Sequence, residues 1–339
     1  MPRSGTLRLR LLWIAALLWL ALLGLLLALF SFVGENAWLV VLLLYLPRHP
    51  WLVPGLLLLP FALRKGRRGL LVPLAAGALL WLFPIMGFVL PHPVASGSQA
   101  RLRVLSYNTT HTVDGVDSLR ALARDTQADL VLFQWTSHEA EEALSGPGFE
   151  GWTVRRADQF TVASRFPILS LETAGVPAES GAPCAHAVLD TPIGPLDVID
   201  IRPQSARYEI GAARHRGIRQ RVRDLIADAW EGQAHERTLL REAQVRSIAD
   251  EIARATHPVL VAGDTNLPGG SLYLRRYFGG MGDAFVEAGW GFGYTHPARL
   301  PWMRLDRVLL GPGLHAVSFE VLGRRVSGHR PVRADIVRQ

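Results

Sequence analysis

The sequence predicts a protein of two parts: N-terminal transmembrane helices followed by an α/β domain. Three observations lead there. Residues 1–92 are dominated by long apolar runs, residues 101–339 mix strand-like with helix-like apolar spacing, and the two parts differ in charge. The chain has 339 residues, with 36 Lys+Arg against 29 Asp+Glu, a formal net charge of +7. Eight bases and a single acid, Glu35, fall within residues 1–92, so that stretch carries the whole excess and the remainder is balanced. A neutral larger domain lacks the long-range attraction that supports nucleic-acid binding, so nucleic acid is not the expected partner. One cysteine, Cys184, excludes an intramolecular disulfide framework and reads as a small buried residue.

Residues 11–33 are 23 uncharged positions rich in Leu and Trp. At about 1.5 Å per residue they cross a hydrocarbon core of about 30 Å. The run exceeds the apolar region of a signal peptide, about 7–15 residues, and further apolar segments follow it. Residues 37–46 are apolar but short, and Pro47-Arg48-His49-Pro50 interrupts them. A span through Arg48 would hold a charge near mid-bilayer at about 2.5–3.5 kcal/mol. The reading is therefore a short interfacial piece to Leu46, a second span over residues 50–63, and a third over residues 69–90. Arg3, Arg8 and Arg10 precede the first span, and Arg64, Lys65, Arg67 and Arg68 lie between the second and third. Positive charge on the cytoplasmic side places both groups inside, two crossings apart. The third span then leads outward, through a linker at residues 93–100, to an extracytoplasmic domain at residues 101–339. The expected location is the cytoplasmic membrane, multi-pass, with the lipid bilayer as partner.

In the second part, residues 101–107 alternate like a strand and residues 113–124 have helical spacing through Val116, Leu119, Leu122 and Ala123. Residues 129–133, 193–201 and 259–262 read as buried strands. Ile218, Val222, Leu225 and Ile226, then Leu239, Leu240, Val245, Ile248 and Ile252, recur at helical spacing. They predict two consecutive helices around Gly232 whose arginines face solvent. Residues 305–310, 316–321 and 332–337 return to strands. His186 and His315 fall within strand regions and read as structural.

Polar residues gather where these strands end: Asn108 after the first, Gly263-Asp-Thr-Asn266 after residues 259–262, Asp306 near the start of a later strand, and Ser327-Gly-His-Arg-Pro331 before the last. Strand ends of a layered sheet are where ligand groups converge. Taken in order, Tyr107-Asn108, Ala128-Asp-Leu-Val-Leu-Phe-Gln134, Ser164-Arg-Phe-Pro-Ile168, Gly263-Asp-Thr-Asn266, Leu305-Asp306 and Ser327-Gly-His329-Arg-Pro331 resemble the deoxyribonuclease-I-like endonuclease/exonuclease/phosphatase superfamily. The N-terminal spans and Gly291-Phe-Gly-Tyr-Thr-His-Pro297 are similar to its bacterial membrane-anchored branch, some members of which are linked to glycopeptide resistance.

The resemblance implies a four-layered α/β sandwich of two packed sheets flanked by helices. It implies phosphoester hydrolysis by water with Mg²⁺ or Mn²⁺. Asp264 would activate the water and Asn266 would hold a phosphate oxygen. Asn108 and Asp264 would serve the metal, and His329 would contact the phosphate with Asp306 fixing its tautomer. Three positions depart from that pattern. Trp135 stands for the metal-binding glutamate after Gln134, Arg202 for a histidine, and Gly328 for the aspartate before His329. His111, His138, Glu139, Glu141 and Glu142 are the neighbours able to supply a displaced ligand, and Arg202 could neutralise phosphate as a fixed cation. The resulting expectation is an anchored hydrolase of phosphate esters or lipid-linked pyrophosphates. The alternative is a catalytically degenerate relative that binds a phosphate-bearing lipid or a partner.

Overall fold

The computed structural model of the chain describes residues 3–91, 100–110, 115–205, 233–323 and 327–338. Most of the linker at 93–100, His111 and the helix expected through Ile218, Val222, Leu225 and Ile226 lie outside the described residues. The chain forms two compact units, Met1–Val89 with Gly269–Leu272, and Leu90–Pro268 with Tyr273–Gln339.

In the first unit, helix α1 (Arg3–Ala28) continues through a wide turn at Leu29–Val33. The resulting stretch Thr6–Asn36 has 31 residues, and an 18-residue window within it has a mean hydropathy of 2.6. Arg68–Ile85, which contains α4 (Leu71–Leu80), has 18 residues at 1.7. Helix α2 (Trp38–Tyr45) and the stretch His49–Ala62, which contains α3 (Val53–Ala62), are bent by 87° across Pro47 and Arg48. Among the described residues, two helices are thus long and apolar enough to cross a membrane, or three if the bent pair is one span. The helix expected over residues 69–90 stops at Ile85, because Gly87 adopts φ +75°, a left-handed conformation that ends helices.

Arg48, read as a charge that must avoid the apolar layer, is instead buried within this unit. Its guanidinium donates to the carbonyls of Ile85 at 2.7 Å, Leu44 at 3.1 Å and Gly269 at 2.5 Å. Backbone oxygens at broken helix ends have no intrahelical donor, so they can solvate a cation. Glu35 is likewise buried and accepts from Ser271 Oγ and, at 3.0 Å, from Leu272 N.

The second unit is built on two six-stranded sheets. The first has the order β11-β12-β1-β2-β4-β3, with β1 Arg101–Asn108, β2 Leu130–Gln134, β3 Thr153–Ala157, β4 Phe160–Ser164, β11 Leu314–Val321 and β12 Val332–Arg338. The second has the order β5-β6-β7-β8-β10-β9, with β5 Ile168–Ala174, β6 Cys184–Thr191, β7 Gly194–Ile201, β8 Val259–Asp264, β9 Gly282–Asp283 and β10 Asp306–Leu310. Only β1/β2 and β7/β8 pair in parallel; each of the other neighbouring pairs is antiparallel.

Alternation of apolar residues along the strands sends one set between the sheets, where Leu102, Val104, Leu130 and Leu132 meet Leu196, Val198, Leu260 and Val308. The opposite faces are covered by helices. Leu105, Val131 and Phe133 pack with α5 (Val116–Asp125) and α6 (His138–Ser145). Ile199, Ile201 and Val261 pack with α7 (Gln233–Arg254) and α8 (Leu272–Phe278). This gives the four layers of a deoxyribonuclease-I-like sandwich. A short α9 (Ala284–Ala288) follows β9.

The arginines of α7 do not all face solvent: Arg241 is buried, with Nε donating to the Gln204 carbonyl at 3.3 Å, while Leu239 is exposed. The helix turns Val245 and Ile248 to the sheet, and Arg241, one turn before Val245, falls on that face too.

Candidate active site

The two parallel pairs end at one edge of the sandwich. Asn108 lies beside Gln134 at the ends of β1 and β2, and Ile201 lies beside Gly263 at the ends of β7 and β8. Strand β10 runs back from the same edge, with Asp306 opposite Asp264, and His329 sits three residues before β12. Gly263 makes this close approach feasible. It has φ +138°, and a Cβ there would run into the Ile201 carbonyl oxygen. Asp264 Oδ1 then accepts from Asn266 N at 2.9 Å, a local turn that holds Asn266 at φ +49°.

The fold brings Asn108, Asp264, Asn266, Asp306 and His329 together, each no more than 3% exposed. Asn108 Nδ2 donates to Asp264 Oδ2 at 2.9 Å, while its Oδ1 accepts from Thr110 N at 3.1 Å, so the amide has one orientation. His329 Nδ1 lies 2.9 and 3.1 Å from the two oxygens of Asp306, which makes it the donor there. Its Nε2 consequently faces Asp264 Oδ2 at 3.6 Å. That separation is too long for a direct hydrogen bond. Burial pushes the Asp306 carboxyl up from its ordinary range, and the neighbouring His329 opposes that rise. Asn266 Nδ2 donates to the Pro203 carbonyl at 2.8 Å, tying the β8 turn to the residues after β7.

Two of the departing positions are partners of one another. The Arg202 guanidinium lies 4.0 Å above the Trp135 ring, and its Nη1 donates to Gln159 Oε1 at 2.6 Å. Trp135 sits at φ +54°, a strained conformation for a bulky side chain, at about 1–3 kcal/mol. Gly328 is exposed, and a Cβ there would meet nothing nearer than His296 Cε1 at 3.8 Å and Thr110 Oγ1 at 4.0 Å. Among the described residues, the acids of α6 are not part of the buried Asp264–Asp306–His329 group. Glu139 and Glu142 are exposed, and Glu139 accepts from Ser137 Oγ at 3.3 Å. Glu141 is half-buried and lies 3.8 Å from His138.

The family in question is in general divalent-metal dependent, and among the described residues Asp264, Asp306 and His329 form a buried group with ligand atoms within 4.8 Å of one another. Its hydrogen bonding does not match a Mg²⁺ or Mn²⁺ centre. Both Asp306 oxygens serve His329 Nδ1, Asn108 turns its amide nitrogen rather than its oxygen to Asp264, and Trp135 and Gly328 carry no oxygen ligand in their side chains. Hard cations of this kind want several oxygen donors, and Asp264 is the one carboxylate of the group not tied to the imidazole Nδ1.

The pattern of residue types missed the supports of the site. Thr295 Oγ1 accepts from Leu305 N at 3.1 Å and Asp306 N at 3.2 Å. Ser327 Oγ donates to the Asn108 carbonyl at 2.7 Å and accepts from His329 N at 3.2 Å. The ring of His296 lies 4.6 Å from that of His329. Thr295 and His296 belong to the Gly291–Pro297 motif, which was the available signal. His186 is held between Asp197 at 2.6 Å and Glu251 at 2.7 Å, away from this edge, and His315 lies 3.9 Å from Glu287.

The sequence profile of the Endonuclease/Exonuclease/phosphatase family matches residues 104–327. No curated protein sequence matches the chain significantly. Among solved structures, a humanized TDP2 of D. rerio shares 18% identity at a TM-score of 0.50, over 70% of this chain and 98% of that one. A Bacteroides thetaiotaomicron protein of the endonuclease/exonuclease/phosphatase family shares 13% identity at 0.49, over 72% and 100%. The mannosyl-6-phosphatase of the same organism also shares 13% at 0.49, over 70% and 99%.

Proposed function

From the premise that the chain belongs to the Endonuclease/Exonuclease/phosphatase family, we propose that it is a membrane-anchored phosphoesterase whose catalytic unit lies outside the cytoplasm. Its substrates would be phosphate esters near the bilayer, with lipid-linked phosphates or pyrophosphates as the favoured class. Tethering raises the effective concentration of a substrate held in the same membrane. The observation that carries the reading is the Asp264–His329–Asp306 arrangement, a carboxylate and an oriented imidazole separated by 3.6 Å.

In this reading a water attacks phosphorus while Asp264 takes its proton, and the bond to the leaving oxygen breaks as His329 Nε2–H gives its proton to that oxygen. Asp306 accepts from Nδ1–H and stabilises the imidazolium. Asn108 holds Asp264 at a fixed angle by its 2.9 Å bond. Arg202, fixed on Trp135, contributes positive charge beside the strand that leads to Asp264. A second reading, a phosphate-binding relative without turnover, is favoured by Trp135 and Gly328 at two ligand positions.

The test is phosphate release by the full-length protein in detergent, from a polyprenyl pyrophosphate and from a simple phosphodiester. Each is run with Mg²⁺, with Mn²⁺ and with chelator, beside Asp264→Ala. Release that persists with chelator and is lost in Asp264→Ala is the expected result. No release above that variant on either substrate overturns the hydrolase. Retained binding of inorganic phosphate would then select the second reading.

A further inference from the structure

Beneath the Trp135–Arg202 stack the two sheets meet through one polar pair. Gln134, the last residue of β2, reaches from the first sheet, and Asp200, near the end of β7, reaches from the second. Gln134 Nε2 donates to Asp200 Oδ1 at 2.7 Å, and also lies 3.0 Å from Ser106 Oγ and from the Leu132 carbonyl. Both side chains are fully buried. The other oxygen of each, Gln134 Oε1 and Asp200 Oδ2, has no hydrogen-bond partner among the described residues. An ionised Asp200 would leave two fully buried acceptors, one on each side chain of the pair, with no hydrogen to share. A carboxylic acid would carry one hydrogen on Oδ2, a donor that Gln134 Oε1 can accept.

We propose that Asp200 is a neutral carboxylic acid in the folded protein at neutral pH, and that its proton closes a clip between the sheets which positions Trp135 and Arg202. The surroundings agree. Burial pushes the Asp200 carboxyl well above the usual carboxylate range. Of the groups around it, Ser106 on β1 and Gln134 on β2 are uncharged, and its register partners on β6 and β8 are Ala185 and Ala262. Cys184 on β6 keeps its thiol, which burial and then Glu251 of α7 push up to about 12. Arg202, two residues on, turns its guanidinium to Trp135 and Gln159. The clip stands on this geometry and does not depend on the hydrolase reading.

Asp200→Asn tests it, because an amide carries the same donor permanently. The full chain in detergent is unfolded at pH 5 to 8, followed by tryptophan fluorescence, and its infrared spectrum is compared with that of the variant at pH 7. Below the unfolded carboxyl's value, about 3.9, both states hold the proton; above it only the folded state does. The wild-type folded-to-unfolded ratio should therefore fall, relative to the variant, by up to tenfold per pH unit. The wild type should also show a protonated-carboxyl band that the variant lacks. Should Asp200→Asn not fold, Gln134→Leu removes the acceptor and must shift that band. A pH-independent gap, or identical carboxyl bands, overturns the proposal.

Discussion

The two halves of the site are held in opposite ways. On one side Asn108, Asp264, Asp306 and His329 are linked through each other's side chains, with Thr295 and Ser327 behind them. On the other, Trp135 and Arg202 face each other as a stacked pair, Gln159 holds the guanidinium, and Gly328 leaves a place with no side chain. The first half keeps a base and an oriented acid; the second exchanges carboxylates for an aromatic ring and a fixed cation. In the proposed reading, the contrast separates the groups that would move protons from the two positions where the family pattern would place metal-binding carboxylates. Removing Asp264 should break the first half outright. Asp264→Ala is expected to cut phosphate release by about 10²–10⁴-fold, the usual worth of one acid–base group, and Arg202→Ala by much less. Equal losses in the two variants would show that the halves are one unit.

Rebuilding the second half should have the next largest effect. Trp135→Glu with Gly328→Asp puts carboxylates back at the two replaced positions, and the Gly328 position has room for a side chain. The double variant is expected to gain at least about tenfold in release with Mn²⁺ or Mg²⁺, and only then, since a metal neutralises phosphoryl charge. Calorimetric titration with Mn²⁺ reads the gain independently of turnover. If the double variant binds no more metal than the wild type, the replaced positions are not what separates this site from its relatives.

Much of this edge was legible in the sequence because its groups sit directly after apolar strands. Asn108, Asp264, Asp306 and His329 each follow or precede such a run, so their types and order were sufficient. Edge strand β3 was not legible, since Arg155 and Arg156 are solvent-facing and break the apolar pattern. The 66-residue separation of Gln134 and Asp200 hid the buried pair, as neither residue type signals burial alone. Arg241 was misread as exposed and Arg48 as excluded, because carbonyl oxygens, which carry no sequence signature, accept their hydrogens. The Trp135–Arg202 stack was visible only as two separate departures.

A smaller effect should come from behind the first half. Thr295 Oγ1 accepts from two buried backbone N–H groups, those of Leu305 and Asp306. Thr295→Val leaves both without that acceptor, at about 2–4 kcal/mol in total, by analogy with other orphaned donors. Urea unfolding of the full chain in detergent measures it. A change below about 0.5 kcal/mol would mean that these N–H groups find other acceptors and that Thr295 does not hold Asp306 in place.

The smallest effect sharpens the comparison most. Gly328 is exposed and its φ is not in the left-handed region, and an added Cβ meets only ordinary van der Waals neighbours. Gly328→Ala should therefore change stability by less than about 0.5 kcal/mol, as surface substitutions usually do. It should also leave phosphate release unchanged, because alanine adds no ligand. The glycine then marks the loss of a carboxylate and not a backbone requirement, which is what the rebuilding experiment assumes. Destabilisation of about 1 kcal/mol or more in the same urea assay would show that the backbone before His329 demands glycine. Gly328→Asp would then carry a folding penalty that must be subtracted before any metal effect is read.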